Sequence, residues 1–132
     1  MNQDSINNKI LIVDDDKFLI DMYSIKFNES KFSVEVSSDG EDALKKIDEG
    51  LVPNICLVDI IMPGMDGFEL VAELKKRPAL KDTAIIILSN LGQQDDVSKG
   101  LELGADGYIV KASATPTEVV TKVMEIVNNK KI

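Results

Sequence analysis

The chain has 132 residues, of which 44% are hydrophobic and 29% charged, and its formal net charge is −8. This length and composition are ordinary for one globular domain, and the negative charge argues against nucleic-acid binding. Because the sequence contains no His, it excludes Ser-His-Asp and Cys-His nucleophilic mechanisms and every His-ligated metal site. The single Cys, Cys56, lies in the apolar run NICLVD and is expected to be an inert buried thiol.

The sequence shows no pattern typical of membrane insertion or export. No apolar stretch approaches the roughly 18 residues of a membrane-spanning helix, and no signal-peptide pattern is present. We therefore expect a soluble, cytoplasmic protein. The two basic clusters, Lys75–Arg77 and Lys130–Lys131, fall where helices are expected to end, so we interpret them as complementing helix dipoles.

Five short apolar runs alternate with amphipathic segments of helix length. The runs are KILIV (9–13), FSVEV (32–36), NICLV (54–58), TAIIIL (83–88) and GYIV (107–110). All except FSVEV are continuously apolar at their centres, which is typical of strands covered on both faces, whereas FSVEV alternates as a half-covered edge strand does.

The intervening segments carry recognisable helix boundaries. Capping-box patterns predict three helix starts, at Ser38 with Glu41, at Asp66 with Glu69 and at Thr115 with Glu118. Predicted helix ends fall at Gly50, Gly100 and Gly104, and Pro78 prevents the preceding helix from continuing. Five strands, each followed by a helix, predict a doubly wound α/β domain with a parallel sheet, right-handed crossovers and helices on both faces.

Polar side chains follow four of the five predicted strands. In doubly wound folds, ligands bind beyond the carboxyl ends of the strands, where the strand order reverses. The first polar residues at these ends are Asp14, Asp15, Asp59, Ser89 and Lys111. Carboxylates with few other ligands suit Mg²⁺ first and Mn²⁺ next. An ammonium and a hydroxyl beside such a metal are suited to a phosphoryl group.

Asp59 is the better candidate for the phosphoryl acceptor. A carboxylate can act as a nucleophile and form an acyl phosphate. Asp59 is a single carboxylate after a central strand, and the loop that follows it, IIMPGMDG, contains the turn dipeptides Pro63-Gly64 and Asp66-Gly67. These turns are expected to carry the chain over the site.

With these residues at its strand ends, the sequence resembles the receiver domain of two-component response regulators over about residues 9 to 129. The matching segments are ILIVDDD, LVDIIMPGMDGFEL, IIILSN and GADGYIVKA, and the site residues follow one another at spacings similar to those of the family. The resemblance implies a flavodoxin-like fold with five helices and strand order 2-1-3-4-5. It also implies that residues 1–132 form a single receiver domain, in which no output domain is expected.

The resemblance assigns a role to each residue that matches the family's motifs. It implies that Asp59 accepts the phosphoryl group while Ser89 and Lys111 contact its oxygens, and that Tyr108 is an aromatic switch residue. The implied Mg²⁺ ligands are Asp15 directly, Asp14 mostly through water, Asp59 and the backbone carbonyl of Ile61. Asp16 matches no site residue, and we assign it to the start of the first helix.

Two positions depart from the family pattern. Receivers usually follow the lysine with a cis proline, whereas here Ala112 follows Lys111. A non-proline cis bond costs roughly 2.5–4 kcal/mol, so we predict a trans bond and an altered path into the loop. Asn90 stands where the family often has a small residue, and it is expected to narrow the phosphoryl pocket and change the lifetime of the acyl phosphate.

The resemblance implies a signalling domain rather than an enzyme. Its phosphodonor is expected to be a sensor histidine kinase or a histidine phosphotransfer protein. The surface made by the fourth helix, fifth strand and fifth helix is expected to bind a downstream protein or a second copy of the domain. Direct contact with nucleic acid or a membrane is not expected.

Two alternatives remain from the residues themselves. Asp14 and Asp16 also satisfy the D-x-D pattern of haloacid-dehalogenase-type phosphatases, with Asp14 as nucleophile and Asp16 as acid. Lys17-Phe18 is a poor match to the residues expected after that pattern, and the short chain has no cap insertion. The second alternative is an interaction module on the same fold that works without phosphorylation, which Ala112 keeps open.

Overall fold

A computed structural model of the protein describes residues 8–130. The strands are β1 (Lys9–Val13), β2 (Ser33–Ser37), β3 (Ile55–Val58), β4 (Ala84–Ser89) and β5 (Gly107–Val110). The α-helices are α1 (Lys17–Glu29), α2 (Gly40–Asp48), α3 (Gly67–Lys75), α4 (Gln94–Glu102) and α5 (Pro116–Lys130). Two 3₁₀ turns, Pro78–Leu80 and Lys111–Ser113, complete the regular structure of the described residues.

The strands form one parallel sheet in the order β2-β1-β3-β4-β5. This confirms the predicted doubly wound fold and its strand order. The order reverses between β1 and β3, which are hydrogen-bonded neighbours. The carboxyl ends of these two strands are therefore the place where a ligand site is expected. As predicted, the alternating segment forms an edge strand, β2.

The core lies on both faces of the sheet because neighbouring residues of a strand point to opposite faces. Leu11 and Val13 belong to a cluster with residues of α2 and α3, whereas Ile10 and Ile12 belong to a second cluster with residues of α1 and α5. Cys56 is fully buried, as predicted, and burial raises the pKa of its thiol to about 12. The thiol is therefore held in its protonated, unreactive form.

The predicted element boundaries differ from the structure at α2 and α4, and by one residue at β2, β3 and β4. α2 is capped by Asp39, not by Ser38, because the Asp39 carboxylate accepts the backbone N–H of Asp42 at 2.8 Å. Gly100 does not end a helix; it lies inside α4, which continues to Glu102. Ser89 is the last residue of β4 rather than the first residue beyond it.

The remaining boundary predictions are confirmed. The boxes at Asp66 and Thr115 each pair a side-chain oxygen with the N–H three residues on, and a Glu reaches back to the N–H of the capping residue. Gly50 and Gly104 follow helices with φ of +118° and +109°, a backbone conformation that glycine adopts without strain. None of the helices in residues 8–130 combines the length and the apolar character that a membrane span requires.

Candidate functional site

Two buried carboxylates stand side by side where the strand order reverses. Asp14 directly follows β1 and Asp59 directly follows β3. The backbone N–H of Asp59 donates to the carbonyl of Val13 at 2.9 Å, which continues the pairing of the two strands by one residue. Asp14 is 2% exposed and Asp59 is 6% exposed, whereas Asp15 lies at the surface. The fold thus brings together residues that are far apart in the sequence.

The three carboxylates can reach one metal ion. Asp14, Asp15 and Asp59 each offer an oxygen, and these oxygens all lie within 4.8 Å of one another. Opposite ligands of one Mg²⁺ lie about 4.2 Å apart, so the donor set and its dimensions fit a hard divalent cation. Burial raises the pKa of Asp59; Lys111 opposes this shift and Asp14 adds to it. A bound cation would oppose this rise and favour the ionised form of Asp59.

Lys111 bridges the two buried carboxylates. Its Nζ lies 2.8 Å from Oδ2 of Asp14 and 3.3 Å from Oδ2 of Asp59, and its side chain is 9% exposed. Burial alone lowers the pKa of this ammonium, but the hydrogen bond to Asp14 and the charges of both carboxylates outweigh it and raise the pKa. A permanent positive charge is therefore fixed beside Asp59.

Backbone amides orient the two carboxylates. The N–H of Asp16 donates to Oδ1 of Asp14 at 2.9 Å, and the N–H of Ile60 donates to Oδ1 of Asp59 at 2.8 Å. The Oδ2 atoms thereby remain for Lys111 and a ligand. The carboxylate of Asp16 caps α1 by accepting the N–H of Leu19 at 3.2 Å, as predicted. This placement contradicts the phosphatase alternative, which needs Asp16 as an acid in the site.

Ser89 and Tyr108 both contact the backbone of Leu91. Ser89 is fully buried at the end of β4, and its Oγ accepts the N–H of Leu91 at 3.3 Å. The hydroxyl of Tyr108 donates to the carbonyl of Leu91, and the half-buried ring packs against the core. Burial, with the charges of Asp96 and Asp59, raises the pKa of Tyr108 to about 12. Sequence reasoning missed Leu91 because its contribution comes from main-chain atoms, which leave no side-chain signal.

The loop after Asp59 is anchored at both ends. The N–H of Gly67 donates to the carbonyl of Ile60 at 2.9 Å, and Gly64 takes a φ of +75° at the turn. Ile61 is 62% exposed, and the role of its carbonyl as a metal ligand stays a prediction. The same is true of the expected effect of Asn90, which lies exposed after β4.

The peptide bond at Ala112 has the predicted trans form, and the altered path of the following loop stays a prediction. Residues Lys111–Ser113 form a 3₁₀ turn directly after β5. Lys111 nevertheless reaches both carboxylates, so the absence of the usual proline leaves the ion pairs of the site in place.

Comparison with known families identifies the class of α/β protein to which this fold and site belong. The family model described as "Response regulator receiver domain" matches residues 10–124. The chain belongs to this family. It is therefore a receiver domain of two-component signalling, a class that accepts a phosphoryl group and interacts with histidine kinases.

Curated relatives extend this finding. The chain is 34% identical over 127 residues to the "Alkaline phosphatase synthesis transcriptional regulatory protein PhoP" of Bacillus subtilis (strain 168), covering 96% of this chain and 51% of that protein. It is 37% identical over 103 residues to the "Gliding motility regulatory protein" of Myxococcus xanthus, covering 78% of this chain and 13% of that protein. The chain thus spans about half, or less, of the length of these relatives.

Solved structures show the same fold. The chemotaxis response regulator CheY4 of Vibrio cholerae superposes with a TM-score of 0.83 at 28% identity, covering 90% of this chain and 98% of that one. The structure titled "BeF3 Activated DrrB Receiver Domain" superposes with a TM-score of 0.77 at 29% identity, covering 91% and 97% of the two chains.

Proposed function

We propose that Asp59 accepts a phosphoryl group from a phosphohistidine of a partner protein. The observation that supports this most directly is the position of Asp59, a buried carboxylate oriented by the N–H of Ile60 and held 3.3 Å from the ammonium of Lys111. The chain contains no His of its own, so the donor imidazole must come from a partner. A sensor histidine kinase or a histidine phosphotransfer protein supplies it.

The transfer is an in-line displacement at phosphorus. An oxygen of Asp59 forms the new bond to phosphorus as the bond to the imidazole nitrogen breaks, and the imidazole leaves with that electron pair. Lys111 stabilises the charge on the phosphoryl oxygens, and the hydroxyl of Ser89 donates to one of them. The chain provides positioning and charge stabilisation and is not a turnover enzyme beyond slow loss of its own phosphoryl group.

A divalent cation completes the site. Asp14, Asp15 and Asp59 would hold Mg²⁺, or Mn²⁺ in its place, with the carbonyl of Ile61 as a further ligand. When bound, the metal neutralises negative charge between the carboxylates and the phosphoryl oxygens. The Oδ2 of Asp14 is paired with Lys111 at 2.8 Å, so this residue can bind the metal through water while the ion pair persists.

Phosphorylation then changes the surface formed by α4, β5 and α5. Ser89 moves toward the phosphoryl group, and the backbone of Leu91, which it contacts, moves with it. Because Tyr108 is hydrogen-bonded to that same backbone, the ring responds to the state of the site. The altered surface binds a downstream protein or a second copy of the domain. We place the protein in the cytoplasm, where such phosphodonors act.

Phosphorylation by a small acyl phosphate tests the proposal without the cognate kinase. The wild-type chain, incubated with the donor and Mg²⁺, is expected to gain one phosphoryl group, which peptide mapping by mass spectrometry places on Asp59. Asp59→Asn and omission of Mg²⁺ should each abolish the label. Asp16→Asn is the matched control, because this neighbour caps α1 outside the site and Asn caps equally well. Labelling that persists in Asp59→Asn would contradict the assignment.

A further inference from the structure

Gly100 occupies a confined position between α4 and the sheet. The residue is buried inside the helix. A Cβ atom built on it would lie 2.6 Å from Cδ1 of Ile87 on β4, and 3.1 and 3.3 Å from Cδ2 and Cε2 of the Tyr108 ring on β5. Real Cβ atoms essentially never approach another atom as closely as the first of these distances. The missing side chain therefore provides space that the ring of Tyr108 and the end of Ile87 use.

We propose that Gly100 is the positioning residue for Tyr108, holding open the space beneath α4 in which the ring lies. A methyl group at this position would lie 3.1 and 3.3 Å from two ring atoms, so the ring would have to shift by a few tenths of an ångström to admit it. The ring position and the distance of α4 from the sheet are thereby linked through one residue. The inference rests on the proposed function in one respect: Tyr108, whose position it explains, is the switch residue of that proposal.

The surroundings of the ring support this role. Asp96 precedes Gly100 by one helical turn, on the same face of α4, and its charge contributes to the raised pKa of Tyr108. The Tyr108 ring packs against α4 at Gly100. Its hydroxyl is tied to the carbonyl of Leu91, three residues before α4 begins. Gly inside a helix is less favourable than Ala. Gly100 therefore lowers the helix propensity of α4, and it leaves room for the Tyr108 ring.

Fluorine NMR of protein labelled with 3-fluorotyrosine measures the ring directly. The chain has two tyrosines, Tyr23 and Tyr108, so two resonances are expected and Tyr23→Phe assigns them. In Gly100→Ala, the Tyr108 resonance should move toward that of an exposed tyrosine while the Tyr23 resonance stays in place. Glu102→Ala, an exposed substitution on the same helix, should leave both unchanged. An unchanged Tyr108 resonance in Gly100→Ala would overturn the proposal.

Nitration by tetranitromethane gives a second measurement, because it modifies the phenolate. Displacement of the ring toward solvent lessens the burial that raises the pKa of Tyr108. The rate of nitration at Tyr108 in Gly100→Ala should therefore rise above the wild-type rate, because a lower pKa gives more phenolate. A wild-type rate at Tyr108 would contradict the inference.

A double variant separates Tyr108 from Ile87. Ile87→Val removes the Cδ1 atom that a new Cβ would meet first. Ile87→Val alone should leave the Tyr108 resonance in its wild-type position. If the contact with the ring is decisive, the double variant Gly100→Ala/Ile87→Val should still show a displaced Tyr108 resonance. Return of the resonance to its wild-type position would show that Ile87 carries the whole effect, and would overturn the proposal.

Thermal denaturation covers the case in which Gly100→Ala folds poorly. The loss of midpoint temperature caused by Gly100→Ala should be smaller when Tyr108→Ala is also present, since the contact with the ring is then gone and only that with Ile87 remains; equal losses in both backgrounds would refute the inference. All these measurements use unphosphorylated protein without Mg²⁺. A negative result in these measurements would overturn the role of Gly100 without affecting the phosphorylation test at Asp59. A negative result in that phosphorylation test would likewise leave the measurements on Tyr108 valid.

Discussion

The α-carbon of Gly67 lies so close to the backbone of Asp59 that a Cβ on Gly67 would stand 2.2 Å from the Asp59 carbonyl oxygen. The same Cβ would lie 2.6 Å from Cα of Ile60. Both are main-chain atoms, which cannot rotate away as a side chain can. The first turn of α3 thus fixes the backbone of the proposed phosphoryl acceptor.

Gly67→Ala is therefore expected to be strongly destabilising and to impair phosphorylation. Forcing a methyl group against rigid backbone is overpacking, and we expect a loss of about 3 kcal/mol in the free energy of unfolding. Urea denaturation measures this loss, and acyl phosphate labelling measures the second effect. Gly92→Ala is the control, because its nearest neighbours are side-chain methyl groups of Val110 at 3.2 and 3.3 Å, which can move. Equal losses in the two variants would contradict the role of the Gly67 contact.

Mg²⁺ should stabilise the fold through Asp15 but not through Asp16. A ligand that binds only the folded state at 100 times its dissociation constant raises the free energy of unfolding by about 2.7 kcal/mol. Asp15→Asn removes a charged ligand and should weaken binding at least about tenfold, which is about 1.4 kcal/mol. Asp16→Asn should keep the full Mg²⁺ response. Thermal denaturation with Mg²⁺ and with EDTA measures both, and an identical response in Asp15→Asn would exclude that residue as a ligand.

Lys111→Met should destabilise the metal-free protein, because it leaves the buried carboxylates of Asp14 and Asp59 without their cation. Removing one partner of a buried ion pair costs about 3–5 kcal/mol. Adding Asp14→Asn should recover part of that loss, since one of the two uncompensated charges then disappears. Urea denaturation in EDTA compares the single and double variants. If the second substitution simply adds a further loss, the ion pair does not account for the cost.

The capping box at the start of α5 should give the stability a defined pH dependence. Thr115→Ala is expected to cost about 1 kcal/mol at neutral pH. Hydrogen bonds from the backbone and side chain of Thr115 lower the pKa of Glu118 below its ordinary value of 4.5. A depressed carboxyl pKa stabilises the folded state above pH 4.5, and this contribution is lost as the pH falls through the lower, folded-state value. Glu118→Gln should therefore be less stable than wild type at neutral pH and approach it in acid; a constant difference would contradict this.

The sequence predicted most of the framework because its patterns are local. The four runs that are apolar at their centres indicated buried parallel strands, and the predicted strand bounds lie within one residue of the structure. The errors at helix boundaries have physical causes that local patterns do not contain. Ser38 and Asp39 can both cap a helix, and only the path of the chain into α2 selects Asp39. Gly100 has the residue type of a helix end, but its packing against Ile87 and Tyr108 makes it an interior residue.

The sequence by itself determined the fold class and the set of residues at the strand ends, because hydrophobic periodicity fixes which segments become strands and the parallel topology places their ends together. Only the tertiary structure decided how those residues contact one another. The bridge from Lys111 to Asp14 and Asp59, the shared contact of Ser89 and Tyr108 with Leu91, and the space at Gly100 join residues from different elements. Such contacts depend on distances between packed elements, and no local pattern in the chain encodes those distances.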